Sequence, residues 1–434
     1  MLDDIVKQFG SFEFPSPFRL TPYITHRKRR PMPGTPPPND HAASPPTDGP
    51  EASTKRGPLD GIVVADLSRV LAGPYASMLL ADLGATVIKV ESPGGDDTRA
   101  WSPPEKNGVA TYYLSINRNK QSIVLDFTDP DDIEVVHELF RRSDVVIENF
   151  KTGALRKFGL DYDTAREINP ALIYLSISGF GTAEGAWLPG YDLVVQAVSG
   201  LMSLTGEADG PAYRAGISVF DVMTGLHGTI GLLAALNQRH ETGIGQHVEV
   251  NLLSSAMSGL VNHTGAFVAG GVVPTRMGNA HPSVYPYQPM PTKDRDVIVA
   301  VGNDRQFRSL CEVLDIAEVA DDDRFRLNAD RAQHRDELHP ILLERLAGWS
   351  ADDLFVALNK VGVPCGPINS IADGVELAES LGLRPRVTLG EGDRQVDLIR
   401  NPITFSEAEA RYTSPPPELG EHSDRVREWL SKPA

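Results

Sequence analysis

Two aspartates stand where a carboxylate could do covalent chemistry. Asp221 lies at the predicted start of a long helix, and Asp192 follows a glycine-containing turn. The positive end of a helix favours an ionised carboxylate, and an ionised carboxylate can attack a thioester carbonyl. The structural alternative is that Asp221 caps its helix by accepting from the backbone N–H of Met223 or Thr224, while Asp192 is an ordinary turn residue. From spacing alone, the capping role is the more common one.

A second group of residues could bind an anionic ligand. Asn149, Phe150 and Lys151 follow a predicted strand that ends at Glu148, and open α/β sheets bind ligands at the carboxyl ends of their strands. Arg156 and Lys157 follow shortly after and could contact phosphates. The alternative for these charged side chains is a solvated helix face.

The sequence does not favour NAD binding, a cysteine nucleophile or a metal site. The loop after the first predicted strand reads Ser-Arg-Val-Leu-Ala-Gly-Pro over residues 68–74, without two of the three glycines of a dinucleotide-binding turn, so NAD is not expected. Cys365 has no nearby histidine or basic cluster to lower its pKa, which favours an inert thiol. No spacing typical of metal ligands occurs, and we expect neither a metal nor a permanently bound cofactor.

The elements that must position these residues alternate between strand and helix. This alternation predicts an α/β fold with a Rossmann-like, doubly wound parallel sheet and a second, smaller domain. A long helix is expected over about 221–239 and another over 252–268. The earlier strands are predicted at 62–67, 85–91, 122–127, 144–148 and 172–178, with helices at 75–83, 130–142, 154–158 and 162–168.

The chain has 434 residues, which exceeds the usual size of a single core and favours two domains or one domain with a large excursion. We predict a disordered, proline-rich N-terminal arm over 1–57 and a large Rossmann-like domain over 58–255. A small domain with its linkers follows over 256–364, and residues 365–434 return to the large domain.

Composition excludes several classes of partner. The net charge of −17 argues against nucleic acid and against anionic lipid surfaces. No uninterrupted apolar run reaches 18 residues, which argues against a membrane span. There are only two cysteines, Cys311 and Cys365, so a reducing, cytoplasmic location is expected.

Many segments, in order, resemble the class III coenzyme A-transferases of the CaiB/BaiF type. The resemblance runs from about residue 59 to residue 430, and within the family it is greatest to transferases for dicarboxylates, such as the succinate–hydroxymethylglutarate enzyme. The dicarboxylate marks are segments 97–99, 112–120, 251–255 and 278–281. The family marks are segments 67–74, 85–91, 94–101, 111–120, 148–153, 221–228, 242–246 and 362–369.

The resemblance implies roles for individual residues. It places the family's catalytic aspartate at Asp221, which outweighs the capping preference drawn from spacing. Formate-specific relatives carry Gln and Arg where this chain has Leu71 and Ser92, so formate is not an expected substrate. Substrate contacts are implied at Asp192, Gly278, Asn279 and His281. Contacts to coenzyme A are implied at Val70, Leu71, Ala72, Leu125, Asn149, Phe150, Lys151 and Lys157.

The function implied by the resemblance is transfer of CoA from an acyl-CoA such as succinyl-CoA to a small dicarboxylic acid. The implied intermediates are an aspartyl anhydride and an aspartyl-CoA thioester, with CoA as a substrate and the enzyme as an interlocked homodimer. Two alternatives remain open: a 2-methylacyl-CoA racemase or epimerase, and a non-catalytic CoA-binding protein. The racemase branch pairs a histidine with an aspartate; Asp192 matches that aspartate, but residues 161–166 contain no histidine.

Overall fold

The computed structural model describes residues 56–433, so the predicted arm over 1–57 lies outside the described residues except for its last two. The chain forms two compact units. Unit 1 comprises the residues up to Ser176, then Gly228–Val248 and the residues from Val375 onward. Unit 2 comprises Ile177–His227 and Glu249–Gly374. The contacts thus group residues 177–227 with unit 2, and the sequence-based boundaries stay a prediction.

A six-stranded sheet organises the fold, and its strand order is the Rossmann order. Numbered along the chain, the strands lie in the spatial order 3-2-1-4-5-6. The four neighbouring pairs within the first five strands are parallel, which confirms the predicted α/β fold. The strands in chain order are Val63–Asp66, Thr86–Glu91, Lys120–Val124, Val145–Glu148, Ile173–Ser178 and His247–Asn251.

This strand order fixes where a ligand can approach unit 1. Strands Val63–Asp66 and Val145–Glu148 are neighbours and both fully buried, as expected for short apolar runs covered on both faces. Their following connections leave in opposite directions along the sheet. The loops after these two strands therefore meet at a crevice, which is where open α/β sheets bind ligands.

Helices and the C-terminal segment complete unit 1. Helix Ala72–Asp82 ends before Gly84, whose φ of 105° suits a residue without a side chain. Helix Pro130–Arg142 is contacted by the C-terminal helix Ser423–Ser431. The remaining elements are Asp97–Ala100, Glu105–Lys106, Val109–Ala110, Thr111–Ile116, Arg156–Phe158, Tyr162–Ile168, Arg386–Leu389, Gly392–Arg394 and Val396–Ile399.

Unit 2 has its own core around a three-stranded antiparallel sheet. The sheet consists of Tyr287–Pro291, Asp296–Ala300 and Cys365–Pro367. Phe307, Leu342 and Leu354 are buried beside it. The helices are Asp192–Val198, Leu201–Leu204, Leu252–Gly259, Val261–Val268, Asp304–Val313, Ala317–Asp321, Asn328–Gln333, Arg335–Leu346 and Ala351–Lys360, while Ile371–Ser380 begins in this unit.

Two expectations about helices change. The helix expected over 252–268 is two helices, because Val261 has a φ of 30° that interrupts the helical backbone. The long helix spans Val219–Thr242 and begins two residues earlier than expected. Asp221 is therefore the third residue of the helix and not its first.

Helix Val219–Thr242 is also apolar. Its 24 residues have a mean hydropathy of 1.5 over the most apolar 18, enough to cross a membrane by length and composition, and 39% of that stretch is buried within the chain. The sequence-based expectation that no apolar run reaches 18 residues overlooked this helix, because small and polar residues such as Gly225 and His227 interrupt its apolar residues. Core helices of soluble proteins have the same property, so this helix alone does not indicate a membrane protein.

Candidate active site

The capping role expected as the alternative for Asp221 belongs to Asp192. Asp221 is the third residue of helix Val219–Thr242. The Oδ1 atom of Asp192 accepts from the backbone N–H of Phe220 at 2.7 Å and of Asp221 at 3.2 Å. Asp192 therefore satisfies two of the amide groups that a helix leaves without intrahelical partners. The proposed bond from Met223 or Thr224 to Asp221 is wrong, because the helix begins before Asp221.

The carboxylate of Asp221 does not cap the helix. Across residues 56–433, no donor bonds to its carboxylate oxygens. Burial, reinforced by the negative charge of Asp192, raises the pKa of Asp221 from its ordinary 3.8 to about 7. A poorly solvated carboxylate without hydrogen-bond donors is more nucleophilic than one in water, since no solvent shell must be removed before it attacks.

Gln196, which was not predicted from the sequence, holds this arrangement in place. Its Nε2 atom donates to Oδ2 of Asp192 and to the Ile217 carbonyl at 3.0 Å. Its Oε1 atom accepts from the N–H of Ala215 at 2.8 Å. One side chain thus fixes both Asp192 and the segment that leads into the Asp221 helix. The spacing of four residues between Asp192 and Gln196 would have signalled the pair if helix Asp192–Val198 had been predicted.

In unit 1, the structure brings together the predicted residues of the two loops at the sheet crevice. Asn149 accepts from the Arg69 N–H at 2.8 Å and donates to the Arg69 carbonyl at 2.7 Å. Val70 follows with a φ of 69°, and helix Ala72–Asp82 begins two residues later. Asn149 therefore lies next to the segment that contains Val70, Leu71 and Ala72. Its side-chain amide holds the loop backbone through one accepted and one donated hydrogen bond.

A cavity of about 240 Å³ lies beside these loops. Of the residues predicted to contact CoA, Leu125 and Phe150 line it, together with Arg69, Phe127 and Phe158. An apolar cavity with a few convergent polar groups is typical of a small-molecule site. Arg69 was not predicted as a site residue, because the loop over 68–74 is compared above only with the glycine pattern of a dinucleotide-binding turn.

Positive side chains lie near the cavity. The guanidinium of Arg69 lies 5.6 Å from the centre of the Phe150 ring and 3.3 Å from the Asp97 carboxylate. The ammonium of Lys157 lies 4.4 Å from the Phe158 ring centre, and Lys151 is exposed. Aromatic walls and nearby cations suit a ligand that carries both a ring system and phosphates.

The loop with the remaining predicted substrate residues packs within unit 2. The Gly278 N–H donates to the Gly206 carbonyl at 3.0 Å, and its φ is 59°. A Cβ at this position would lie 2.9 Å from the Glu207 carboxylate, so a larger residue would not fit without a shift. Asn279 is exposed, and the His281 ring lies 5.3 Å from the Tyr287 ring. Their roles toward substrate stay predictions.

The fold and these sites define an α/β protein of the Rossmann type with a free, partly buried carboxylate and a ligand-sized cavity. Comparison with known proteins identifies the family. The profile of CoA-transferase family III matches residues 59–423, and the chain belongs to this family. It is therefore a family III CoA-transferase, as the sequence analysis predicted.

Individual relatives agree with this assignment. The chain is 45% identical over 382 residues to a succinate–glutarate CoA-transferase of Agrobacterium fabrum, covering 86% of this chain and 95% of the relative. It is 40% identical over 374 residues to the succinyl-CoA:glutarate CoA-transferase of Homo sapiens, covering 85% of each. The crystal structure of a CaiB/BaiF family protein from Brucella suis has a TM-score of 0.77 at 43% identity, covering 87% of this chain and 100% of that one.

Proposed function

We propose that this chain moves CoA from succinyl-CoA to a small dicarboxylic acid, with glutarate as the first candidate acceptor, and that Asp221 is the nucleophile. The observation that carries the proposal is the free carboxylate: Asp192 caps the helix, and no donor within residues 56–433 bonds to the Asp221 oxygens. The choice of acids rests on the names of the two similar transferases.

The reaction divides into two matched halves. A carboxylate oxygen of Asp221 attacks the thioester carbonyl carbon, and the C–S bond breaks. CoA leaves as a thiolate, and a mixed anhydride of Asp221 and succinate remains. The thiolate then attacks the Asp221 carbonyl carbon and expels succinate, leaving an aspartyl-CoA thioester. The acceptor carboxylate attacks that thioester and releases the thiolate, which in turn attacks the acceptor's carbonyl in the second anhydride and regenerates Asp221. No electron or net proton transfer is needed.

The oxyanions of these steps need donors outside the helix end. The N–H of Val219 bonds to Ile217 at 2.9 Å, those of Phe220 and Asp221 bond to Asp192, and that of Val222 bonds to Ser218 at 3.2 Å. All four amide groups are occupied, so the donors must come from another segment. The loop over 278–281 is our candidate, and Asn279 exposes an amide that could donate.

We further propose that the enzyme acts as an interlocked homodimer in the cytoplasm, without binding membranes. Ile230 of the long apolar helix is 63% exposed. Val261 and Phe267 of helix Val261–Val268 are 70% and 58% exposed. A second chain would bury such apolar side chains. Cys311 and Cys365 are both free thiols, which fits a reducing compartment. Light scattering on the purified protein tests the dimer, which a monomeric mass would exclude.

The activity test uses purified protein, succinyl-CoA and a panel of dicarboxylic acids. We expect glutaryl-CoA to form with the wild-type protein and no transfer to be detected with Asp221→Ala. Asp323→Asn is the control, since this aspartate is 91% exposed at its side chain. After incubation with succinyl-CoA, hydroxylamine should convert Asp221 to its hydroxamate, which mass spectrometry detects. Full activity of Asp221→Ala would end the proposal.

A further inference from the structure

The loop after the first strand has its backbone held by side chains from elsewhere. The Ser68 N–H donates to Asp66 at 3.1 Å, and the Ser68 carbonyl accepts from the Lys89 ammonium at 3.0 Å. Asn149 holds both backbone groups of Arg69. The Val70 N–H points to the Asp96 carboxylate at 3.4 Å, a long hydrogen bond. Three consecutive residues thus take their polar partners from outside the loop.

Val70 adopts a backbone conformation that its side chain disfavours. Its φ of 69° lies in the left-handed region, where a β-branched residue is a genuine outlier. Such a residue persists only where its surroundings determine the backbone more strongly than its own preference does. The side chains that hold residues 68–70 are the evident source of that constraint.

At the centre of this constraint is a buried ion pair. The Lys89 ammonium lies 2.8 Å from the Asp96 carboxylate, and both side chains are fully buried. Asp96 also accepts from the Thr98 N–H at 3.0 Å and hydroxyl at 2.7 Å, which orients its carboxylate. Burial alone would lower the pKa of Lys89, but the charges of Asp66 and Asp96 outweigh it and raise that pKa. The ammonium therefore stays charged.

A buried pair of this kind is not explained by stability alone. Replacing buried ion pairs by apolar groups of similar size is often neutral or stabilising. Here each partner also reaches the loop: Lys89 bonds to the carbonyl of Ser68, and Asp96 faces the N–H of Val70. The pair therefore connects strand Thr86–Glu91, and the segment that follows it, to the backbone of the loop.

We propose that Lys89 and Asp96 are positioning residues that hold the loop over 68–70 in its strained shape, so that Val70, Leu71 and Ala72 are arranged for CoA before it arrives. This inference rests on the proposed CoA site. A ligand that meets a preformed loop does not have to order it on binding, so its affinity is higher. Loosening the pair should weaken CoA binding while leaving the chemistry at Asp221 unchanged.

The test compares Asp96→Asn with a matched control, Asp82→Asn. Asp82 is equally buried, pairs with Arg118 at 2.6 Å in the same unit, and has no bond to residues 68–70. We expect Asp96→Asn to raise the Kd for CoA and the KM for succinyl-CoA about tenfold, with kcat changed less than about threefold. Asp82→Asn should lower the melting temperature and leave the Kd for CoA within about twofold. An unchanged Kd in Asp96→Asn, or equal weakening in both variants, would overturn the inference.

A second pair of variants covers the case in which Asp96→Asn does not fold. Val70→Gly and Val70→Ala both remove the valine side chain. Only glycine accepts a φ of 69° without strain, but glycine also allows the backbone to adopt many other conformations. We expect Val70→Gly to bind CoA several-fold more weakly than Val70→Ala. Equal affinities would contradict a preformed loop. If wild-type protein neither binds CoA nor transfers it, the proposed function fails; if it does both and these variants match their controls, only this inference fails.

Discussion

The free carboxylate of Asp221 should cost the protein stability, and removing its charge should reveal that cost. We consider Asp221→Asn, which keeps the shape of the side chain and mimics its protonated form. The pKa of Asp221 is raised from 3.8 to about 7 in the folded chain, mainly by burial and then by Asp192. The folded state therefore holds its proton more tightly than the unfolded state, and ionisation favours unfolding.

The size and the sign of the effect follow from those two values. Below pH 3.8 both states are protonated and the substitution is close to neutral. As the pH rises from 3.8 to about 7, the wild type loses stability, up to about 4 kcal/mol when both states are ionised. At pH 5 the cost is roughly 1.5 kcal/mol. The advantage of Asp221→Asn should therefore widen by about 2.5 kcal/mol between pH 5 and pH 8.

Urea denaturation of the CoA-free proteins at pH 5 and pH 8 measures this difference, with the free energy of unfolding taken from the midpoint and the slope. Asp323→Asn again controls for loss of one negative charge, because its exposed side chain should give a difference within about 0.5 kcal/mol at both pH values. An Asp221→Asn protein that is less stable than wild type at pH 8, or an advantage that does not widen with pH, would refute the reasoning. It would show that the carboxylate has a structural partner in solution.

Three further predictions concern the reaction. The pKa of Asp221 is about 7, so kcat/KM for succinyl-CoA should rise roughly tenfold from pH 6 to pH 8, because only the ionised form attacks. A kcat/KM that does not change with pH would exclude Asp221 as the titrating nucleophile. Gln196→Leu should lower kcat about tenfold or more, because Oδ2 of Asp192 and the carbonyl of Ile217 lose the donor that Gln196 supplies. An unchanged kcat in steady-state kinetics with succinyl-CoA would contradict this. Arg69→Ala should raise the KM for succinyl-CoA about fivefold and weaken its dependence on salt, because a cation beside the cavity is lost. Arg308→Ala is the control and should change neither, because Arg308 is about as exposed, pairs with Asp321 and does not line the cavity.

Local signals in the sequence were sufficient for much of unit 1. Helix Pro130–Arg142 has the predicted bounds because its ends are encoded nearby: Asp129 accepts from the Asp131 N–H, proline opens the first turn, and two arginines close the last. Helix Arg335–Leu346 was not predicted; Pro340 lies inside it, and a proline normally indicates the end of a helix. Helix Asp192–Val198 is too short for a clear periodic signal and follows a turn.

The site was less predictable, because its key contacts are distant in sequence. Asp192 bonds to backbone groups 28 and 29 residues away, and no spacing rule connects a turn residue to a helix end at that separation. The left-handed Val70 is even harder to foresee, since valine disfavours that conformation. Resemblance to a family made Asp221 the predicted catalytic residue, and that role stays a prediction; it did not reveal that Asp192 caps the helix.

The separation of tasks between the two aspartates gives a physical criterion for the nucleophile. A carboxylate that caps a helix is stabilised by the amide groups it accepts from, and that stabilisation must be given up before it can form a covalent bond. Asp192 accepts from two backbone amides and from Gln196, so its lone pairs are engaged. Asp221 lies beside it in the first turn and its lone pairs are engaged by no donor in residues 56–433. Of the two, Asp221 can attack a thioester at the lower cost, because only Asp192 would have to leave hydrogen bonds behind.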